Sequence, residues 1–155
     1  MMNKKYRILW LTGQPGSGKT TLSNQIIKNI SENDKFANIE TIQIDGDDLR
    51  DLTDNKDYSE KGRRENIILS QKIAFFCQNK GYFVIVSLVA PYLDLRESFK
   101  KKTEVCEVYL HTSENRGKEK FFSPDYDKPL ENFLDLDTTK KTIKDTANEI
   151  LSFYW

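Results

Sequence analysis

The segment ILWLTGQPGSGKTTL, Ile8 to Leu22, admits few folds. Ile8–Thr12 is mostly apolar and has the length of a buried strand, while Leu22, Ile26, Ile27 and Ile30 recur at helical spacing. Between them Gly13-Gln14-Pro15-Gly16-Ser17-Gly18-Lys19-Thr20 satisfies G-x-x-x-x-G-K-[ST] at every fixed position. Glycines let consecutive backbone N–H groups turn inward as a concave nest for anionic oxygens, and the following helix adds the positive end of its dipole. Such a loop is featureless because its main chain is the binding surface. Lys19 is then placed to reach the β- and γ-phosphates of ATP, and the Thr20 hydroxyl to bind Mg²⁺. Gly13, Gly16, Ser17, Gly18, Lys19, Thr20 and Thr21 are the expected ATP-binding residues, with Lys19 also catalytic. A dinucleotide-binding loop fails here, because Gly16-Ser17-Gly18 begins G-x-G-x-x-G but Thr21 stands at the last glycine position.

Strand-like and helix-like runs alternate along the rest of the chain. Ile39–Ile44, Tyr82–Leu88, Val105–Leu110 and Phe133–Leu136 read as strands. Helices are expected at Ser59–Asn79, with Ser59 as N-cap, Gly81 as terminator and Ile67, Ile68, Ile73, Phe75 and Phe76 as apolar residues. Two more are expected from about Tyr92 to Lys101 and from Thr139 to about Phe153. The expectation is one α/β domain over residues 1–155: a three-layer P-loop NTPase fold, a parallel five-stranded sheet with helices on both faces. Residues 112–129 lack a clean period and read as a short, mobile lid over a site.

Bulk properties narrow the partners. Lysine plus arginine equals aspartate plus glutamate at 24 each, so no positive excess favours a nucleic acid polymer. Cys77 and Cys106 lack C-x-x-C spacing and read as buried thiols of a reducing compartment. The longest apolar run, Tyr82–Ala90, is less than half a membrane span, and MMNKKYRILWLTG reaches glycine too soon for a signal-peptide core. A cytoplasmic protein without membrane contact is expected.

The second strand runs into QIDGDDLRDL. In a parallel sheet the strand C-termini open onto one crevice, so Asp45 and Asp47 are expected to face the phosphate loop. One carboxylate can hold the metal or its water while another orients or deprotonates an attacking hydroxyl. Arg50 follows on the same face of a short helix, and Arg63 and Asn66 share a helical face in YSEKGRRENI. The bland readings are a polar turn with a helix cap, and a solvated charged face. A GTPase is disfavoured, because Asn55-Lys56-Asp57-Tyr58 misses the N-K-x-D pattern.

Taken together, WLTGQPGSGKTTL, IDGDDLR, YSEKGRRENI, GYFVIVSLVAPY, EVYL and LDLDTT, in that order, resemble the adenylylsulfate kinase family over roughly Ile8 to Thr139. The resemblance implies an ATP-dependent phosphotransferase that phosphorylates the ribose 3′-hydroxyl of a nucleotide such as adenosine 5′-phosphosulfate. It implies Asp47 near the acceptor hydroxyl as a catalytic and substrate-binding residue, and Asp45 with Thr20 at Mg²⁺. Arg50, Arg63 and Asn66 match substrate contacts, Tyr58 and Phe122 the walls around the base, and Ser87 a segment of backbone contacts. Homodimers are common in the family. Three departures stand out: Ala90 replaces the serine of S-P-Y, Gly62 replaces an acid, and ENRGKEKFFSPDYDKP is a shortened lid in which Arg116, Lys118 and Lys120 compete for the cationic role. Relatives of the family act on other nucleotides, among them cytidine diphosphoramidate in capsular polysaccharide biosynthesis, which is the alternative acceptor. A nucleotide-binding regulatory module without phosphotransfer is the alternative of another class.

Overall fold

The computed structural model describes residues 6–154. In chain order the elements are β1 (Ile8–Thr12), α1 (Lys19–Ser31), a 3-10 turn (Asp34–Phe36), β2 (Thr41–Asp45), α2 (Gly46–Thr53), α3 (Glu60–Asn79) and β3 (Phe83–Ser87). There follow α4 (Leu93–Lys102), β4 (Val105–His111), a second 3-10 turn (Glu119–Phe121), β5 (Phe133–Asp137) and α5 (Ile143–Tyr154). The strands form one five-stranded sheet ordered β2-β3-β1-β4-β5, parallel at every pairing.

Alternation along β1 builds both faces. Leu9 and Leu11 pack with Leu22 and Ile26 of α1 and Ala147 and Ile150 of α5. Ile8 and Trp10 point the other way, toward Ile67 and Ala74 of α3 and Phe99 of α4. A parallel strand covered on both sides has no polar face, which is why β1 and β3 read as continuous apolar runs.

The sheet also locates a crevice. The β1–β2 connection crosses over β3, whereas β4 adds to the other side of β1, and ligands favour such switch points at strand C-termini. Ser87 pairs in register with Leu11 and Asp45, so the ends of β1, β2 and β3 meet at one edge.

Two sequence expectations change in detail. Along α3, Ile67 is buried but Ile68 and Phe76 are 37% and 62% exposed. The inward stripe is instead Gly62, Asn66, Ile67, Ser70, Ala74 and Cys77, because the first half of this helix faces the crevice. Ser59 does cap it, accepting a hydrogen bond from Gly62 N at 3.4 Å. The C-terminal helix starts at Ile143 rather than Thr139, since Asp137 accepts from Thr139 N at 2.8 Å in a turn, and Thr142 Oγ1 caps the helix through Asp145 N at 3.1 Å. Among the described residues no helix is long and apolar enough to cross a membrane.

Candidate active site

The loop after β1 leaves the sheet at Gly13, where a Cβ would stand 2.2 Å from Leu110 O of β4; glycine alone allows that approach. Lys19, first residue of α1, curls back over the loop, and its Nζ donates to Gly13 O at 2.8 Å and Gln14 O at 2.9 Å. The side chain is buried, and that burial pushes its ammonium down to about 8, opposed by the Asp45 and Asp47 carboxylates. No acidic group among the described residues forms an ion pair with it; its partners are two neutral carbonyls and the Ser17 hydroxyl. A buried cation of this kind is electrostatically incomplete until an anion arrives.

Beside it, Thr20 Oγ1 donates to Asp45 Oδ2 at 2.7 Å, while Asp45 Oδ1 accepts from Asp47 N at 2.9 Å and caps α2. A hydroxyl and a carboxylate next to a phosphate nest are hard oxygen donors. They suit Mg²⁺, which takes one or two protein ligands and fills its remaining positions with phosphate oxygens and water.

A cavity of about 840 Å³ runs from this loop toward the lid. Gly16, Gly18, Lys19, Thr20 and Thr21 line it together with Asp45 and Asp47. Arg50, Tyr58, Arg63, Asn66, Ser87 and Phe122 line it too. Gly13 and Ser17 do not line it: they stand behind the loop, with Ser17 Oγ 3.4 Å from Lys19 Nζ.

Around Arg50 the side chains hold one another. The Arg50 guanidinium lies 4.2 Å from the centre of the Tyr58 ring and donates to Asn55 O at 3.1 Å and Asp57 O at 2.9 Å. It therefore fixes the 55–58 loop and backs Tyr58, leaving the exposed ring as a platform. Asn66 Nδ2 donates to Gly46 O at 3.2 Å, but its buried Oδ1 has no hydrogen-bond partner, an orphan that a ligand donor would satisfy. Ser87 Oγ is turned to Lys19 O at 3.4 Å.

Gly62, where the family resemblance leads one to expect an acid, is explained by the same loop. A Cβ at Gly62 would lie 2.2 Å from Asp57 O. Gly62→Ala should therefore lower stability by ~1–3 kcal/mol despite the better helix propensity of alanine, and displace Tyr58. The urea midpoint measures it, and a rise in the midpoint would contradict this packing.

The lid is tied down at three places. Arg116 Nη1 donates to Gly16 O and Thr138 Oγ1, each at 3.2 Å, so this arginine braces the back of the phosphate loop. Lys118 and Lys120 are the lid cations that line the cavity. Midway, Gln14 Nε2 donates to Ser123 O and Ser123 N donates to Gln14 Oε1, both at 2.9 Å. At the far end Asp127 N donates to Pro91 O at 2.9 Å and the Tyr126 hydroxyl lies 2.8 Å from Thr12 Oγ1. Burial pushes the Tyr126 phenol up, keeping it a neutral hydrogen-bonding group. Residues 112–129 read from sequence as a mobile excursion, yet their contacts reach parts of the chain remote in sequence. Gln14, Thr12 and Tyr126 carried no sequence signal for this, Gln14 occupying a variable position of the loop motif. The lone histidine, His111, lies outside the cavity lining: its Nε2 is 2.5 Å from Asp135 Oδ1 and its ring stacks on Tyr109.

Comparison with known proteins places the chain among P-loop kinases of one family. An adenylyl-sulfate kinase of Burkholderia ambifaria is 35% identical over 97 residues, covering 62% of this chain and 51% of that protein. The alignment thus spans about half of that relative's length. A cytidine diphosphoramidate kinase of Campylobacter jejuni is 28% identical over 142 residues, covering 88% of this chain and 81% of that protein. The Mycobacterium tuberculosis APS kinase CysC in complex with AMPPNP and APS shares the fold, with a TM-score of 0.80, 22% identity and 96% of each chain covered. A gluconokinase from Sinorhizobium meliloti is more distant, with a TM-score of 0.62, 14% identity and coverage of 93% of this chain and 89% of that one. The family model described as adenylylsulphate kinase matches residues 5–132. With most of its length inside that match, this chain belongs to the adenylylsulphate kinase family.

Proposed function

We propose that the chain is an ATP-dependent kinase that transfers the γ-phosphate to the ribose 3′-hydroxyl of a small nucleotide, adenosine 5′-phosphosulfate being the first candidate. The observation that carries this reading is the buried Lys19 ammonium, without an ion-pair partner among the described residues, in a cavity that also offers Arg63, an unpartnered Asn66 oxygen and the Tyr58 face.

The main-chain nest and Lys19 bind the phosphates of ATP and oppose charge on the transferring group. Thr20 and Asp45 would hold Mg²⁺, which would supply charge neutralisation on the phosphates. Asp47 orients the acceptor hydroxyl and takes its proton as the oxygen bonds to the γ-phosphorus and ADP leaves. Arg63, Asn66 and Arg50 position the acceptor's anionic and ribose groups, while Tyr58 and Phe122 flank its base. The lid lysines cover the reacting phosphate and keep water out. An enzyme that consumes ATP in this way belongs in the cytoplasm, and a homodimer is its proposed state.

The second reading keeps this chemistry and makes the acceptor a cytidine nucleotide such as cytidine diphosphoramidate. Favouring it is the Campylobacter relative, which aligns over more of this chain than the Burkholderia relative does. ADP release with a panel of adenylyl and cytidylyl acceptors decides between them: one group should support turnover well above the rate without acceptor. A chain that binds ATP yet releases no extra ADP with any acceptor would be a regulatory module instead.

A further inference from the structure

The clasp between Gln14 and Ser123 belongs to neither substrate, yet it joins both halves of the site. We propose that Gln14 is a positioning residue that latches the lid to the phosphate loop, so that the lid, the catalytic ammonium and the acceptor-binding arginine are set as one unit. The inference rests on the kinase reading above and assigns a role to a residue that the loop motif leaves open.

The geometry is reciprocal. One primary amide satisfies both main-chain groups of Ser123, 109 residues away, at 2.9 Å in each direction. Ser123 is buried, so truncating Gln14 would strand an N–H and a C=O away from water. The main chain of Gln14 is engaged at the same time, its carbonyl accepting from Lys19 Nζ at 2.9 Å. Ser123 is engaged on its other side, its hydroxyl lying 3.0 Å from Arg63 Nη1. A continuous path therefore runs from Lys19 through Gln14 and Ser123 to Arg63.

What the latch restrains is equally specific. The lid is held at its start by Arg116 and at its end by Asp127, but the hydrogen bonds of residues 117–122 are local among the described residues. That stretch carries Lys118, Lys120 and Phe122, the lid side chains named in the mechanism, and all three are exposed. Ser123 is the point at which its C-terminal end meets the rest of the site. With Gln14 truncated, this stretch loses its fixed end, Arg63 loses the hydroxyl that aims it, and water gains access to the γ-phosphate.

Three variants test the proposal: Gln14→Ala, Gln14→Glu, which keeps an acceptor for Ser123 N but not the donor to Ser123 O, and Ser123→Ala, which keeps the amide clasp but not the Arg63 contact. In Gln14→Ala the KM for the acceptor should rise about tenfold, the worth of one to two lost hydrogen bonds, and ADP released without transfer should rise relative to transfer. The Kd for ATP, measured by calorimetry without acceptor, should change by less than about twofold, since no phosphate contact is removed. Gln14→Glu should fall between Gln14→Ala and the wild type, and Ser123→Ala should raise the acceptor KM alone. Amide exchange should quicken in residues 117–123 of Gln14→Ala with or without acceptor, which reads the latch even if no tested nucleotide is phosphorylated. Wild-type exchange in that stretch, or a wild-type acceptor KM and hydrolysis ratio, would overturn it. So would equal losses across all three variants and both substrates, the pattern of a general loss of structure. Absence of turnover in the wild type with unchanged latch behaviour would instead count against the kinase reading.

Discussion

Glu107→Ala should destabilise the fold by ~3–5 kcal/mol, the cost of leaving a buried cation without its counter-ion. Glu107 sits on β4 with its side chain 2% exposed, and it accepts from Arg96 Nε at 2.7 Å and lies 2.6 Å from Lys100 Nζ. Arg96 is just as buried and donates onward to Ala90 O and Asp127 O. Burial alone would push the Lys100 ammonium down, but its short ion pairs with the Glu107 and Glu97 carboxylates outweigh that and leave it raised. Removing the carboxylate thus strands the Arg96 guanidinium and loosens two carbonyls, one in the cavity wall and one at the foot of the lid. A urea midpoint lowered at unchanged slope is the expected signature. Replacing Arg96 and Glu107 together with Met and Leu should recover only part of the loss, because Ala90 O and Asp127 O would still lack their donor. A Glu107→Ala midpoint within experimental error of the wild type would show that this network contributes nothing.

Lys19→Ala should lower turnover by about 10²–10³-fold, the range seen when one preorganised charge-stabilising donor is removed from a reacting centre. The ammonium lines the cavity together with Gly16, Gly18 and Thr20 of the phosphate nest, and among the described lysines and arginines that line it Lys19 alone is buried. Lys118 lies beside Gly16 on the lid side of the loop and Lys120 follows it on the lid, but both are exposed, whereas the Lys19 ammonium is buried within the nest. Stability should move little or rise, since the buried, depressed ammonium is itself unfavourable in the empty protein. The informative comparison is therefore turnover against urea midpoint in the same variant. Turnover within tenfold of the wild type would remove Lys19 from the mechanism.

Local patterns in the chain were enough for the sheet, most of the helices and the donor end of the site. β1, its glycine loop and α1 are contiguous, and their spacing encodes the nest through backbone geometry alone. The same holds for Asp45 and Ser59, whose capping hydrogen bonds close within three residues of sequence. The inward face of α3 was harder to read. Asn66 and Ser70 are polar yet buried while Phe76 is apolar yet exposed, because the neighbours of the helix, not its own periodicity, decide which face is covered.

What the linear sequence determined by itself is thus the set of elements, their order and the phosphate-binding loop, because each depends on interactions between residues a few positions apart. Only the tertiary structure decided that Gln14 grips Ser123, that Arg50 braces Tyr58, that Gly62 makes room for Asp57 and that Arg116 stands behind the nest instead of in it. These are meetings of particular atoms, two of them across a hundred residues of sequence or more. A side chain's partner there is set by how the strands are ordered and how closely the lid approaches, and neither leaves a period in the chain.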